Sequence, residues 1–191
     1  MTSGNRCDEP LAKDAEEALR QLRGIADAFL VHDRDIVVRC DDSVVRLAGN
    51  GKPQPIRRAR GYAPAPIVLP WDCAPVLACG AEIKNTFCLT TGRHAFLSQH
   101  IGDLENMETF VFFKQALEHL TRALDISPRA VAYDLHPDYL STRFALEQEG
   151  VELIGVQHHH AHVASAMAEH GIEGPVTVSY THLRAHETVL D

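Results

Sequence analysis

Four histidines occupy five consecutive positions in residues 158–162. They follow an apolar run, residues 151–156, and open a segment of strong helix formers that extends to His170. On a helix, residues four positions apart lie on one face, about one turn apart, so His158 and His162 can point at one ion. Neutral imidazole is a preferred ligand for zinc and iron. Spacing alone leaves two interpretations open, a metal site and a polar helix start with solvated histidines.

A second chemically dense stretch is residues 57–60, where three of four residues are arginines in a chain of net charge -8. The planar guanidinium of arginine suits phosphate and carboxylate oxygens. Basic residues also protect a solvated edge strand from pairing with other chains. The residue types therefore fit either an anion-binding segment or an edge strand.

The Ser3-Gly4-Asn5 sequence is a third candidate. Such a loop offers a hydroxyl, backbone amides and a side-chain amide to an anion or a nucleotide. Taken alone, the same three residues also fit a simple turn.

Composition limits the possible classes of function. A chain of 191 residues, 45% of them hydrophobic, has the length of one large domain or two small ones and enough apolar residues for a core. The acidic net charge argues against a general nucleic-acid surface. No apolar run approaches the length of a membrane span, and the N-terminus lacks a signal-peptide core. Five cysteines without a CxxC pair favour a reducing cytoplasm.

The elements that must position these residues begin with a helix and a hairpin. Residues 14–23 place their apolar side chains on one helical stripe. The Asn50-Gly51 pair is a strong hairpin signal. Residues 64–75 contain four prolines, which fix φ and remove donors, so we expect a semi-rigid linker at a domain boundary.

After this segment, strands alternate with helices. We predict three short strands, a helix, a strand, a helix, a strand and the histidine-bearing helix. Up to that last helix, the predicted elements cover residues 75–79, 86–89, 94–98, 108–125, 130–133, 138–149 and 151–156. The order βββαβαβα is that of an α/β, ribonuclease-H-like half-domain of the actin/Hsp type. Ligands of such sheets gather beyond the strand C-termini, where Asp134, His136, Asp138 and the histidines all fall.

Several motifs occur together in one order and resemble a known family. The downstream motifs are residues 80–89 (GAEIKNTFCL), 98–104 (SQHIGDL), 134–139 (DLHPDY) and 156–162 (VQHHHAH). The upstream motifs are residues 2–5 (TSGN), 41–46 (DDSVVR) and 57–64 (RRARGYAP). Together they resemble the HypF carbamoyltransferases, which mature [NiFe]-hydrogenases. The upstream motifs look like the end of that family's YrdC-like domain, and the resemblance extends over residues 1–176.

The resemblance implies an enzyme with two sites. A YrdC-like domain would use ATP with Mg²⁺ to convert carbamate, released from carbamoyl phosphate, into carbamoyl adenylate. A metal-bearing domain related to tRNA threonylcarbamoyl transferases would transfer the carbamoyl group to the C-terminal cysteine thiol of a HypE-type acceptor protein. That group later becomes a cyanide ligand of the hydrogenase iron.

The resemblance also implies site residues. The positions implied to contact nucleotide are Ser3, Asn5, Arg46, Arg58, Arg60, Lys84 and Asn85. The first two match a Ser-x-Asn element, the arginines are phosphate contacts, and the last two lie on the hairpin that receives phosphates in this superfamily. His158 and His162 match a His-x-x-x-His pair of zinc or iron ligands. His160 occupies a non-ligand position between them.

This chain also departs from the family pattern. Upstream, the acylphosphatase-like and zinc-finger segments and most of the YrdC-like domain are absent. Downstream, residues 177–191 lack the Asp-Gly-x-Gly loop that would supply a further metal ligand, and we expect this tail to be foreign sequence. The resulting division is a YrdC-like part (1–63), a linker (64–75), a transferase part (76–176) and the tail (177–191).

Three functional hypotheses follow. The first is a fragment of an ATP-dependent carbamoyltransferase, which we expect to be inactive by itself. The second is a non-catalytic metal- or nucleotide-binding module. The third is a tRNA threonylcarbamoyl-type transferase, against which the DLHPDY motif and the acidic charge argue.

Overall fold

The structure is a computed structural model of the 191-residue chain, and it describes residues 4–6, 9–49 and 51–177. Ser3, Asn50 and residues 178–191 of the predicted foreign tail lie outside the described residues.

The first part of the chain contains one helix and one hairpin. Helix α1, Ala15–Leu22, begins where the Asp14 carboxylate accepts the backbone N–H of Glu17 at 2.8 Å, an ordinary N-cap. Strands β1, Val44–Leu47, and β2, Pro53–Arg57, pair antiparallel. The predicted helix and hairpin are both confirmed.

Two long strands replace the three short strands predicted after the proline-rich segment. Strand β3, Ile67–Ala78, pairs antiparallel with β4, Cys88–Leu97. The expected linker is therefore wrong from residue 67 onward, because that stretch belongs to β3. Proline is tolerated there because the register shifts twice between Val68 and Val76, and β3 pairs with β5 only from Val76 onward.

The expected turn at Gly92 is also part of a strand. Gly92 has φ 54 and lies opposite Cys73, at one of the register shifts of the β3–β4 pair. A glycine in the left-handed region allows a bulge without ending the strand. The two predicted short strands on either side of it therefore form the single strand β4.

A four-stranded mixed sheet organises the second part. Its order is β4-β3-β5-β6, in which β5, Ala130–Asp134, runs parallel to both β3 and β6, Glu152–Val156. The connecting helices are α2, Met107–Leu124, and α3, Leu140–Leu146, and β6 leads directly into α4, His158–His170. The α/β class and the alternation of strands and helices agree with the prediction. No helix in the described ranges is both long and apolar enough to span a bilayer.

The core lies where α2 and α3 pack against the sheet. Phe113 is fully buried and meets the ring of Phe87 edge to face at 5.6 Å and that of Phe144 at 5.2 Å. Burial of the fully buried Phe87 and Phe113 rings contributes about 1.5–3 kcal/mol each. In contrast, β6 is a largely exposed edge strand and α4 has no buried residue. The core thus anchors β5 firmly, while α4 depends on a few specific contacts.

Candidate functional site

The imidazoles of His158 and His162 converge at the start of α4. Their Nε2 atoms are 3.1 Å apart and their ring centroids 4.7 Å apart. Helix geometry produces this approach, because the two residues are separated by one turn and both side chains lie on the same face. The structure thus brings together the two histidines that the sequence singled out.

This geometry fits two ligands of one metal ion. Zn–N bonds of about 2.0–2.1 Å place two nitrogen ligands about 2.9–3.4 Å apart at tetrahedral to octahedral angles. The measured 3.1 Å lies within that interval. The donor set, two neutral imidazoles, suits zinc or iron. Among the described residues, no group of three or more His, Cys, Asp or Glu side chains is arranged to hold a metal.

A carboxylate stands behind the histidine pair. Asp134, the last residue of β5, places Oδ2 2.7 Å from Nδ1 of His158. The other polar residues predicted at this edge have different contacts. The His136 ring stacks on Tyr139 with centroids 4.1 Å apart, and Asp138 lies 3.9 Å from Arg143. Sequence reasoning grouped these residues but gave Asp134 no role.

A cleft of about 860 Å³ separates the first part of the chain from the second. Cationic or amide side chains line it from both sides, with Asn5, Arg57 and Arg60 from the first part and Lys84 and His100 from the second. The lining also includes four carboxylates, those of Glu9, Asp41, Asp42 and Asp103. Burial lowers the pKa of His100, and the nearby positive charges of Arg57 and Lys84 lower it further. The cleft therefore combines cations, carboxylates and an imidazole that favours its neutral form.

Three of the predicted nucleotide-contacting residues line this cleft. Asn5 uses its side-chain amide to close a local turn, donating to the carbonyl of Glu9 at 2.9 Å. The Arg60 guanidinium lies 3.6 Å from the carboxylate of Asp42. Lys84 has φ 53, a left-handed conformation that is uncommon outside glycine and is often found at functional sites.

The other described candidates make different contacts and do not line the cleft. Arg46 donates to the side-chain oxygen of Gln54 at 3.0 Å on the exposed β1–β2 hairpin. Arg58 forms an ion pair with Glu169 of α4 at 2.8 Å. Asn85 is buried and donates to the backbone carbonyl of Cys79 at 3.0 Å, which stabilises the turn between β3 and β4. Their role in nucleotide binding stays a prediction.

Sequence reasoning gave no role to His100, which it noted only within the SQHIGDL motif. Arg57 belongs to the arginine cluster of residues 57–60 that the resemblance implies as phosphate contacts, and it lines the cleft. The sequence signal that could have identified His100 is that it is a histidine inside one of the family motifs. Its distance from residues 57–60 along the chain concealed that its backbone N–H donates to the carbonyl of Arg58 at 3.0 Å.

Two protein families match this chain in succession. Residues 1–59 match the Sua5/YrdC family, described as Telomere recombination, and residues 72–169 match the HypF Kae1-like domain. These matches confirm the predicted fold class, a YrdC-like part followed by an actin/Hsp-type part.

Individual proteins show the same similarity over nearly the whole chain. Carbamoyltransferase HypF2 of Cupriavidus necator is 55% identical over 92% of this chain and 22% of its own length. Carbamoyltransferase HypF of Rhizobium leguminosarum is 50% identical over 92% of this chain and 23% of its own length. The chain thus spans less than a quarter of the length of these curated relatives.

Solved structures agree in fold. A crystal structure of full-length HypF in the phosphate- and nucleotide-bound form matches with a TM-score of 0.85 at 50% identity, over 91% of this chain and 28% of the other. The structure of HypF from T. kodakarensis matches with a TM-score of 0.83 at 40% identity, over 91% and 23%.

Proposed function

This chain belongs to the HypF family of carbamoyltransferases, and from this membership we propose that it serves an ATP-dependent carbamoyl transfer. In the proposed sequence, carbamoyl phosphate is hydrolysed to carbamate and phosphate, and carbamate then reacts with ATP and Mg²⁺ to give carbamoyl adenylate and pyrophosphate. The C-terminal cysteine thiolate of a HypE-type acceptor then takes the carbamoyl group, with AMP as the leaving group. That group later becomes a cyanide ligand of a [NiFe]-hydrogenase. Family membership favours this reaction over transfer to tRNA, as does the net charge of -8.

The observation that supports this proposal is the shared cleft. Its walls combine Arg57 and Arg60 of the YrdC-like part with Lys84 of the Kae1-like part. In the ligand-free chain the two arginines pair with Asp41 at 4.0 Å and Asp42 at 3.6 Å. Fixed cations stabilise the phosphate charge of a nucleotide and of an acyl adenylate. A related full-length HypF was crystallised in a phosphate- and nucleotide-bound form, which supports ATP as the ligand of this fold.

The second half of the proposal is a zinc or iron ion held by His158 and His162. The 3.1 Å separation of their Nε2 atoms supports it. A bound metal would supply a Lewis acid beside the carbamoyl group that the thiolate attacks. A cytoplasmic location is part of the same proposal, and the four described cysteines support it because all are free thiols.

Nucleotide binding can be tested on the chain itself by calorimetric titration with ATP and Mg²⁺. R60A and K84A should each weaken ATP binding about tenfold or more, because a hydrogen bond to a charged group contributes about 1.5–3 kcal/mol. R122A is the matched control, since Arg122 is an exposed residue of α2 whose ion pair, among the residues that the structure describes, is with Glu118 at 3.8 Å. Equal ATP affinity in all three variants would contradict the assignment of the cleft.

Catalysis is best tested in a chimera in which residues 1–176 replace the matching segment of the Cupriavidus HypF2. We expect carbamoyl-phosphate-dependent pyrophosphate release from ATP and carbamoylation of the acceptor's C-terminal cysteine. H158A and H162A should block the second reaction and spare the first. A folded chimera that binds ATP but lacks both reactions would favour the non-catalytic binding module instead.

A further inference from the structure

The Asp134 carboxylate contacts His158 on the edge of the ring that faces away from His162. Its Oδ2 lies 2.7 Å from His158 Nδ1, while the Nε2 atom on the other edge lies 3.1 Å from His162. We propose that Asp134 is a positioning residue that holds the proton of His158 on Nδ1 and thereby presents Nε2 as the metal-binding lone pair. This inference rests on the metal site proposed above and adds a residue to it.

The register of two parallel strands creates the contact. Asp134, at the end of β5, is the register partner of Val156, at the end of β6, and the next backbone N–H, of Leu135, donates to the Val156 carbonyl at 3.1 Å. Only Gln157 separates β6 from His158, the first residue of α4. The carboxylate and the imidazole therefore leave neighbouring strand ends at the same edge of the sheet.

Further hydrogen bonds hold the Asp134 carboxylate in place. Oδ1 of Asp134 accepts a hydrogen bond from the backbone N–H of His136 at 2.9 Å. The backbone carbonyl of Asp134 accepts one from the hydroxyl of the buried Thr142 at 2.7 Å. The side chain is only 7% exposed. Because Oδ1 is committed to the backbone, Oδ2 is the atom available to the imidazole. An orientation set by protein contacts is what a ligand-positioning residue requires.

The chemistry of the pair determines the tautomer. An ionised carboxylate only accepts hydrogen bonds, and a neutral imidazole carries one N–H. Since Oδ2 of Asp134 faces Nδ1 of His158, the proton belongs on Nδ1 and the lone pair on Nε2. Carboxylate–histidine–metal arrangements of this kind fix ring orientation and raise ligand basicity. In the metal-free chain His162 must then donate its own Nε2–H to His158.

The same geometry excludes Asp134 as a direct ligand of that ion. The two nitrogens of an imidazole are separated by one ring carbon, and their bonding directions diverge widely. A carboxylate oxygen that bonds to Nδ1 cannot reach a metal bound at Nε2 while the ring keeps this orientation. The role left for Asp134 is to orient the histidine.

The inference can be tested by ¹⁵N NMR of the histidine side chains in the metal-free, full-length chain, with resonances assigned through H158Q and H162Q. We expect His158 as the Nδ1–H tautomer and His162 as the Nε2–H tautomer. In D134A, the His158 signals should move toward the Nε2–H form. Zinc affinity, measured by competition with a chelator, should fall about 10–100-fold.

D138N is the matched control, and D134N is a second test variant of the same shape as the wild type. Asp138 is on the same loop but contacts Arg143, so D138N should change neither the tautomer nor zinc affinity. D134N keeps the shape of the side chain and should retain the fold, as measured by thermal melting, while weakening zinc binding.

The results separate this inference from the proposed metal site. His158 found as the Nε2–H tautomer in a wild-type chain that binds zinc would overturn the role of Asp134 and leave the metal site intact. Unchanged zinc affinity in folded D134A and D134N would overturn it as well. An Nδ1–H tautomer that depends on Asp134, in a chain that binds no zinc, would support the orienting contact and contradict the metal site.

Discussion

The guanidinium of Arg58 lies 2.8 Å from the carboxylate of Glu169, a residue 111 positions away in the chain. The pair joins the arginine-rich stretch to the last turn of α4, whose first turn carries His158. The carbonyl of Arg58 also accepts the backbone N–H of His100 at 3.0 Å. Because α4 has no buried residue, the Asp134–His158 contact and this ion pair hold its two ends.

The first prediction concerns this ion pair. R58A, E169A and the double variant should give a coupling free energy of about 0.2–1 kcal/mol in urea unfolding, the usual range for a partly exposed pair. Added salt should reduce it. The exposed Glu118–Arg122 pair of α2 provides the reference cycle. Strictly additive effects of the two single variants would show that the contact does not hold α4.

The second prediction concerns metal content. The double variant H158A/H162A should lose any zinc or iron measured by elemental analysis after dialysis. H160A should retain it, because His160 is exposed and lies between the two ligands in sequence. With two histidine ligands in the described residues we expect weak binding, since catalytic zinc sites usually have three protein ligands. Full metal content in the double variant would place the metal elsewhere.

The third prediction is a pH dependence from His100. Burial and the charge of Arg57 lower its pKa below the ordinary value of 6.5. A lowered pKa means that the folded state resists protonation. The contribution of neutral His100 to the free energy of unfolding is therefore fully present above about pH 6.5. It is lost as the pH falls through the pKa of His100 in the folded state.

Replacing His100 tests this dependence. Urea unfolding of H100Q between about pH 7.5 and pH 5 should show a smaller loss of stability than unfolding of the wild type. H94Q, which changes an exposed histidine of β4, is the control. Identical pH slopes in H100Q and in the wild type would refute the assignment.

The fourth prediction concerns the turn that carries Lys84. Gly80 has φ 72, and a Cβ at this position would overlap the backbone carbonyl of Thr86. G80A should therefore lower the free energy of unfolding by more than the roughly 1–2 kcal/mol that an alanine in the left-handed conformation costs. It should also weaken ATP binding, because the turn would displace Lys84. G24A is the matched control, because Gly24 has φ 82 with no atom within 4 Å of the added Cβ. Equal losses of stability in the two variants would argue against a tight turn.

Local features of the fold could be predicted because their causes lie within a few residues. The Asp14 cap and the apolar stripe of residues 107–124 act within one helix, so the positions of α1 and α2 agree with the prediction. The length of β3 and β4 could not be predicted in this way. It depends on how Cys73 and Gly92 pair across two strands, and each strand alone shows only prolines and a turn-like glycine.

The same division applies to the candidate site. Sequence alone determined that His158 and His162 can face one ion, because the spacing of four residues is a property of any helix. The family motifs added the expected chemistry. Tertiary structure decided which side chain orients His158, because the Asp134 contact depends on the parallel register of β5 and β6. It also decided that Arg58 pairs with Glu169 while Arg60 lines the cleft, because the path of the backbone between distant segments determines where neighbouring arginines point.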